Sequence, residues 1–215
     1  MDALYADREN LASARRAAEL WSVDLRRDPT AYDSAWKLAR ISYWLGGHVP
    51  EAERRAFLEQ GIKAAQQARQ LRPDRPEGHF WNAANMGELA QHFGIRAGLK
   101  YRGAIRTELE AVVRIDVAYM DGSADRALGR YYHKLPSLFG GSMVRAEQHL
   151  RAALVYDEDS TITRYFLAEL LVDAKRVAEA RAELRRVLDA PLHAAWAPED
   201  KDFTRQAAKL LADLH

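Results

Sequence analysis

The chain has 215 residues, of which 48% are apolar and 29% are charged, a composition typical of folded proteins and not of disordered ones. Lysine and arginine number 32 against 31 aspartate and glutamate, so the sequence gives no reason to expect a nucleic-acid partner, which usually meets a one-sided basic surface. The absence of cysteine excludes disulfides, thiolate metal sites and a cysteine nucleophile. No apolar run is long enough to predict a transmembrane segment.

Apolar residues recur at helical spacing along the whole chain. Residues that break helices separate the periodic segments. They are Asp28-Pro29, Gly46-Gly47, Pro73, Pro76, Gly94, Gly122, Pro136, Gly140-Gly141, Pro191 and Pro198. This pattern predicts about ten helices and no strand.

Alternate helices end in a similar way, with an apolar face followed by Asp or Pro, which favours a break and a new helix start. These ends fall at Pro29, Pro73, Asp116, Asp157 and Pro191. Their separations shorten from about 44 to about 34 residues, and 34 residues is the period of the tetratricopeptide repeat (TPR). We therefore predict an all-α fold, an α-solenoid of TPR-like helical hairpins, in a single domain over residues 1–215. The first helix is then the second half of an incomplete unit, and residues 201–214 form a C-terminal capping helix.

No catalytic or metal-binding motif is present in the sequence. Gly140-Gly141-Ser142 lacks the lysine of a phosphate loop, and we interpret it as a turn in which Ser142 caps the helix that starts at Met143. Three histidines that could meet in space lack a carboxylate at ligand spacing: His79, His92 and His133. We therefore predict a non-enzymatic protein with no catalytic residue, no metal site and no cofactor.

Aromatic side chains recur on the helices that would line the concave surface of a TPR stack. They are Trp36, Tyr43, Trp44, Phe80, Trp81, Tyr101, Tyr131 and Tyr132. Two amides three residues apart on one helix face, Asn82 and Asn85, need hydrogen-bond partners if they are buried. One interpretation is that the tryptophans fill the core between repeats, as large residues usually do. For the cluster as a whole we favour a groove that binds a peptide or an amphipathic small molecule.

In the predicted groove, aromatic side chains make apolar contacts with the bound molecule, amide side chains form hydrogen bonds with it, and a cationic side chain forms an ion pair with it. The residues assigned to it are Trp81, Asn82, Asn85, Arg130, Tyr131, Tyr132, Lys134 and Phe139. Of these, Arg130 or Lys134 would pair with a carboxylate. The adjacent loop is predicted to be shaped by Pro136, Gly140 and Gly141.

Three segments carry a resemblance to a known family. They are HFWNAANMGELA at 79–90, ALGRYYHKLPSLFGGS at 127–142 and AEQHLRAALVYDEDSTITRYFLAELL at 146–171. Over about residues 30–190 the chain resembles the T-components of tripartite ATP-independent periplasmic (TRAP) transporters. The positions that match the motifs of that family are Phe80, Trp81, Ala83, Asn85, Gly87, Gly129, Arg130, Tyr132, Pro136, Gly140 and Gly141.

The resemblance implies a periplasmic TPR-like protein, lipid-anchored through an N-terminal cysteine, that works beside a solute-binding protein. That partner captures organic acids or other hydrophobic ligands. The expected partners are therefore a protein, here a solute-binding protein, and a small hydrophobic or carboxylate ligand. The sequence starts without an export signal or that cysteine, so a cytoplasmic location is the alternative.

More distantly, the eukaryotic regulators of microtubule dynamics resemble the same arrangement. They belong to a TPR-like group with suggested lipid binding, so a lipid- or fatty-acid-binding protein is one alternative function. A general scaffold for protein–protein interaction is the other. Exposed aromatic residues would equally suit self-association, so the sequence leaves a homo-oligomer open.

Overall fold

The computed structural model describes residues 1–214, and for residues 95–97 it describes the backbone only. Every regular element in that part of the chain is helical. The α-helices are α1 (Asp2–Ala6), α2 (Leu11–Arg27), α3 (Tyr32–His48), α4 (Glu51–Leu71), α5 (Pro76–Phe93), α6 (Ile95–Ile115), α7 (Ser123–Lys134), α8 (Met143–Ala153), α9 (Thr161–Asp173), α10 (Val177–Asp189) and α11 (Ala197–Asp213). A short 3-10 helix, Ser137–Phe139, lies between α7 and α8. None of these helices carries an apolar stretch that could cross a bilayer.

Contacts between the helices divide the chain into two compact units, residues 1–116 and the residues from Val117 onward. In the first unit the helices pair as α1–α2, α3–α4 and α5–α6, and the first helices α3 and α5 also pack on each other. In the second unit α7 pairs with α8 and α9 with α10, while α9 packs on α7 and α11. Pairing within hairpins and packing between their first helices is the arrangement of a TPR-like repeat. The single domain over residues 1–215 stays a prediction.

The helix that sequence periodicity missed is α1, which has only five residues. A helical period cannot be detected over so short a segment, because it needs at least three turns to repeat. Since α1 packs on α2, the predicted incomplete first unit has a short first helix of its own.

Two predicted helix boundaries are wrong. Gly46-Gly47 lies inside α3, and the chain turns at Val49 and Pro50 instead. Gly46 is buried, and its lack of a side chain lets α3 approach Leu58 of α4 closely. Pro198 does not mark a break but lies in the first turn of α11. Proline is tolerated there because the backbone N–H groups of a first turn have no acceptor within the helix, so the missing N–H costs nothing.

The capping helix is confirmed, although it starts at Ala197 and not at Lys201. Ala207 of α11 is fully buried in a cluster with Tyr165, Leu184 and Val187. Four larger side chains at the end of the chain are partly buried against the same cluster: Phe203, Leu210, Leu211 and Leu214. The helix thus covers the apolar face that the last hairpin would otherwise expose.

Candidate binding surfaces

Trp81 and Asn85 lie on the face of α5 that packs into the interior of the first unit. Trp81 is 4% exposed, and its ring centroid lies 5.8 Å from that of Tyr43 and 5.0 Å from that of Phe80. Asn85 is fully buried, and its amide nitrogen donates to the carbonyl oxygens of Ala39 (3.0 Å) and Trp81 (2.7 Å). The amide therefore ties α5 to α3 and has no surface for a partner to contact.

Asn82 belongs to a buried polar cluster around Glu108 of α6. The Glu108 carboxylate accepts hydrogen bonds from Arg69 Nη1 and from Asn82 Nδ2, the latter at 3.0 Å. Its second oxygen lies 2.5 Å from His79 Nδ1, and His79 Nε2 lies 3.2 Å from the carbonyl oxygen of Pro73. Because Arg69, Asn82 and Glu108 come from α4, α5 and α6, the cluster holds three consecutive helices together.

Opposing effects set the pKa of Glu108. Burial by itself raises the pKa, because an ionised carboxylate is less stable away from water. The hydrogen bond from His79 and the positive charge of Arg69 more than offset burial, and they hold the pKa of Glu108 below its ordinary value. The carboxylate is thus charged at neutral pH, and the cluster acts as a structural ion pair. These contacts give Asn82 and Asn85 structural roles, and we place the candidate surface elsewhere.

Two shallow grooves of about 480 Å³ each follow α4 in the first unit. The first is lined by Pro29, Lys63, Gln66, Gln67, Gln70 and Leu71. The second is lined by Ser22, Leu25, Arg26, Leu38, Ala56, Glu59, Gln60, Lys63, Ala64 and Gln67. Neither groove includes a residue predicted for binding.

In the second unit, the turn between α7 and α8 is held closed by its own backbone. The N–H of Ser142 donates to the carbonyl oxygen of Tyr132 (2.9 Å), and the N–H of Gly141 donates to that of Pro136 (3.1 Å). The predicted N-cap is confirmed, because the Ser142 hydroxyl accepts a hydrogen bond from the N–H of Arg145. These bonds fix where α8 starts relative to the end of α7.

Two glycines allow the backbone conformation of this turn. Gly140 has φ +100°, in the left-handed region that residues with a side chain rarely adopt. Gly141 passes against the carbonyl group of Leu135, where a Cβ atom would clash with backbone that cannot move aside. The predicted shaping role of these glycines agrees with this geometry.

Arg130 and Lys134 of α7 both reach one carboxylate on α9. Arg130 Nη1 donates to Glu169, and Lys134 Nζ lies 3.4 Å from the other oxygen of that carboxylate. The Arg130 guanidinium also lies 4.4 Å from the ring centroid of Phe166, which meets Phe203 of α11 edge to face at 5.5 Å. We name these five residues the α7–α9–α11 surface. Its charged side chains remain partly exposed, from 22% at Glu169 to 45% at Lys134, and two cations share a single carboxylate.

The remaining predicted residues lie near the α7–α8 turn. Tyr132 is 6% exposed, and its ring stacks on that of His149 at 5.5 Å. Tyr131 meets Tyr132 edge to face at 5.2 Å and is half-buried, as is Phe139. Tyr132 is therefore part of the packing of the second unit, whereas Tyr131 and Phe139 keep some surface.

The three histidines considered as metal ligands face different partners. His79 faces Glu108, His92 faces Glu88 at 2.8 Å, and His133 faces Asp173 at 2.8 Å. Among residues 1–214, no three His, Asp or Glu side chains are grouped as a metal ion would require.

His133 is buried at the end of α7, with 2% of its side chain exposed. Burial is the main cause of its lowered pKa, and the charges of Lys134 and Arg130 lower it further, while the hydrogen bond to Asp173 acts in the opposite direction. The His133 imidazole thus takes up a proton less readily in the folded protein than in the unfolded chain. The contribution of His133 to the free energy of unfolding is therefore fully present above its ordinary pKa of 6.5 and is lost as the pH falls below that value.

We expect the wild type to lose more stability between pH 7.5 and pH 5.5 than a His133→Gln variant, which keeps a donor for Asp173 but does not titrate. Urea unfolding of both proteins at the two pH values measures the difference. Equal losses in the two proteins would show that His133 does not contribute to the pH dependence.

Sequence reasoning missed the acidic partners, Glu108 and Glu169. A signal for them exists, because several polar partners in adjacent repeats lie 38–40 residues apart. The pairs include Arg15–Glu53, Arg69–Glu108, Arg130–Glu169, His133–Asp173 and Thr161–Asp200. Searching for opposite charges one repeat length apart would have found Glu108 and Glu169.

Helical hairpins that pack through their first helices define a TPR-like helical repeat protein. A solved structure with a similar fold is that of a thermophilic TPR protein from Thermus thermophilus, with a TM-score of 0.71. It is 20% identical to this chain, and the match covers 96% of this chain and 94% of that one. The predicted all-α, TPR-like fold class is confirmed.

The chain belongs to the family described as regulator of microtubule dynamics protein 1-3, whose sequence model matches residues 1–215. No curated protein matches the chain. The more distant of the two resemblances is therefore the one that the family match supports. The resemblance to T-components of TRAP transporters is supported by neither the family nor the fold beyond the TPR-like architecture.

Proposed function

We propose that this protein is a non-enzymatic scaffold that binds an acidic, partly apolar segment of a protein partner on the α7–α9–α11 surface. The observation that carries the proposal is that Arg130 and Lys134 share Glu169 beside Phe166. A carboxylate of the partner can pair with one of the two cations, while an apolar residue packs on the aromatic ring. Helical repeat proteins use extended surfaces of this kind to bind partners.

The family name indicates the first partner to test. Its members are described as regulators of microtubule dynamics, and we propose polymerised microtubules as that partner. Binding is measured by sedimentation of the purified chain with microtubules. If the chain does not sediment with them, affinity capture with the wild-type chain identifies the partner on which the variants are then compared.

A solute-binding protein as partner, a periplasmic location and a small hydrophobic or carboxylate ligand stay predictions from the resemblance to T-components. The same holds for the lipid or fatty-acid alternative. We favour binding of a protein partner, because the charged side chains of the α7–α9–α11 surface stay partly exposed, where a segment of another chain can reach them.

Arg130→Ala is expected to weaken partner binding about tenfold or more, because it removes one charge partner and the cation that lies over Phe166. The melting temperature should change by less than about 4 °C, since a partly exposed ion pair contributes little to stability. Titration of the partner and thermal unfolding measure the two effects separately.

The matched control is Arg151→Ala, which removes an arginine paired with Glu147 at 2.7 Å on α8, outside the proposed surface. Partner binding should be unchanged in that variant. Equal binding by wild type and Arg130→Ala, or equal losses in both variants, contradicts the proposed surface. A melting temperature lowered by more than about 10 °C in Arg130→Ala would make Arg130 a structural residue.

A further inference from the structure

The segment from Arg126 to Ala146 contains four basic residues and no acidic one, although the whole chain is balanced at 32 to 31. The basic residues are Arg126, Arg130, Lys134 and Arg145. Glu169 is the carboxylate shared by two of them. Arg145 is exposed, with its guanidinium 5.5 Å from the ring centroid of Tyr132. The α7–α8 turn lies at the centre of this segment and is flanked by basic residues. The acidic residues that bound the segment are paired elsewhere, Asp125 with His149 and Glu147 with Arg151 and Arg176.

The same turn exposes apolar side chains to solvent. Leu138 is 86% exposed, Val144 67% and Met143 37%. Single exposed apolar residues are common on protein surfaces, but here three occur within seven residues of one turn, and we call Leu138, Met143 and Val144 the patch. An exposed apolar patch on an ordered turn indicates that the turn contacts another molecule or a membrane.

The patch is held in place before any partner arrives. The N–H groups of Phe139 and Gly140 donate to the carbonyl oxygens of Pro136 (2.9 Å) and Ser137 (3.0 Å), and the bond from Ser142 to Tyr132 closes the base of the turn. Lys134 ends α7 and Arg145 lies in the first turn of α8, so the two cations stand on either side of that base. A preformed turn loses little conformational entropy on binding.

We propose that the α7–α8 turn docks the protein on a lipid bilayer with an anionic surface. Leu138, Met143 and Val144 enter the boundary between headgroups and acyl chains, and Lys134 and Arg145 contact the phosphates of the headgroups. A bilayer suits both features at once, because its apolar layer lies directly beneath a layer of negative charge. Few apolar residues take part, so the association is peripheral and reversible.

The test uses the purified full chain and sedimentation with vesicles. Vesicles of phosphatidylcholine alone are compared with vesicles that also contain phosphatidylserine, at low and at high salt. The wild type should bind the anionic vesicles, bind the neutral ones far more weakly, and dissociate as salt screens the charges. This test contains no protein partner, so its result does not depend on the proposed scaffold function.

Leu138→Ser should weaken binding to the anionic vesicles about tenfold, because it removes the most exposed apolar side chain of the turn. Arg145→Ser should weaken binding and also reduce its salt dependence. Since both side chains are exposed, neither variant should lower the melting temperature.

Val155→Ser is the matched control. Val155 is 81% exposed, but it precedes Asp157, Glu158 and Asp159, whose charge opposes contact with an anionic surface. Vesicle binding should be unchanged in this variant. The proposal is overturned if the wild type does not bind anionic vesicles, or if Leu138→Ser binds them as well as Val155→Ser does. It is also overturned if Leu138→Ser keeps vesicle binding and loses binding to a protein partner, because the turn would then be a protein contact.

Discussion

Glu108→Ala is expected to lower the free energy of unfolding by about 3 kcal/mol, since it removes the only carboxylate of a cluster that joins α4, α5 and α6. His79 is 12% exposed at its side chain and Asn82 is 2% exposed, so their polar groups would lose a partner that water cannot fully replace. Urea unfolding of the purified variants measures the loss.

Two variants make the test specific. Glu108→Gln keeps the shape and one acceptor, so its loss should be smaller than that of alanine. Glu110→Ala, two residues further along α6, removes a half-exposed carboxylate 3.6 Å from Arg106 and should cost less than about 0.5 kcal/mol. Equal losses at positions 108 and 110 would contradict a structural role for the cluster.

The cluster also predicts a response to acid. Since the pKa of Glu108 is held below its ordinary value of 4.5 in the folded protein, its stabilising effect is complete above that value. The effect is lost as the pH falls from about 4.5 through the folded-state pKa, where the carboxylate takes up a proton. The stability of Glu108→Gln should therefore fall less steeply over this range.

Gly61→Ala is expected to destabilise the first unit by about 2 kcal/mol. A methyl group at Gly61 would lie well inside van der Waals contact of the buried Asn85 amide, and overpacking of this kind costs about 3 kcal/mol. Alanine recovers about 1 kcal/mol of that through its higher helix propensity. Gly103→Ala in α6 is the control, because nothing lies within 4 Å of the added atom and helix propensity alone should stabilise the protein.

A double-mutant cycle identifies the cause of the loss. Asn85→Ala by itself should cost about 2–3 kcal/mol, through two lost hydrogen bonds and the space it leaves. In the double variant the methyl group at position 61 occupies part of that space. The stability loss of the double variant should therefore be about 1–3 kcal/mol smaller than the sum of the losses of the two single variants. Strict additivity would show that the two residues do not interact.

These predictions concern Asn85, which the sequence assigns to a binding groove, and the residues packed against Asn82 and Asn85. The expectation that Asn82 and Asn85 need partners if buried is confirmed, but their partners are Glu108 and the backbone of α3 and α5. The periodicity of a single helix does not show this, because Glu108 follows Asn82 by 26 residues and lies on another helix. Of the eight residues assigned to the groove, Arg130 and Lys134 lie on the α7–α9–α11 surface, and Tyr131 and Phe139 keep some exposure.

Local features were predicted best. The N-cap at Ser142 was found because a cap depends on one side chain and the residues next to it. Gly46-Gly47 predicts a helix break because glycine disfavours a helix, yet close packing of α3 on α4 requires a residue without a side chain at Gly46. Tertiary packing thus reverses a local preference at that position.

The sequence by itself determined the class of the fold, since helical periodicity and the spacing of helix ends are local properties that recur in every repeat. Only the tertiary structure decided which polar side chains serve packing and which remain on a surface. Glu108 and Glu169 are both acidic residues on amphipathic helices, and they differ in what the neighbouring helix places beside them. At Glu108 three donors and burial make a closed structural cluster, whereas at Glu169 two cations and an aromatic ring stay partly exposed. That difference arises from contacts between residues 26–39 positions apart in the chain, which no local pattern contains.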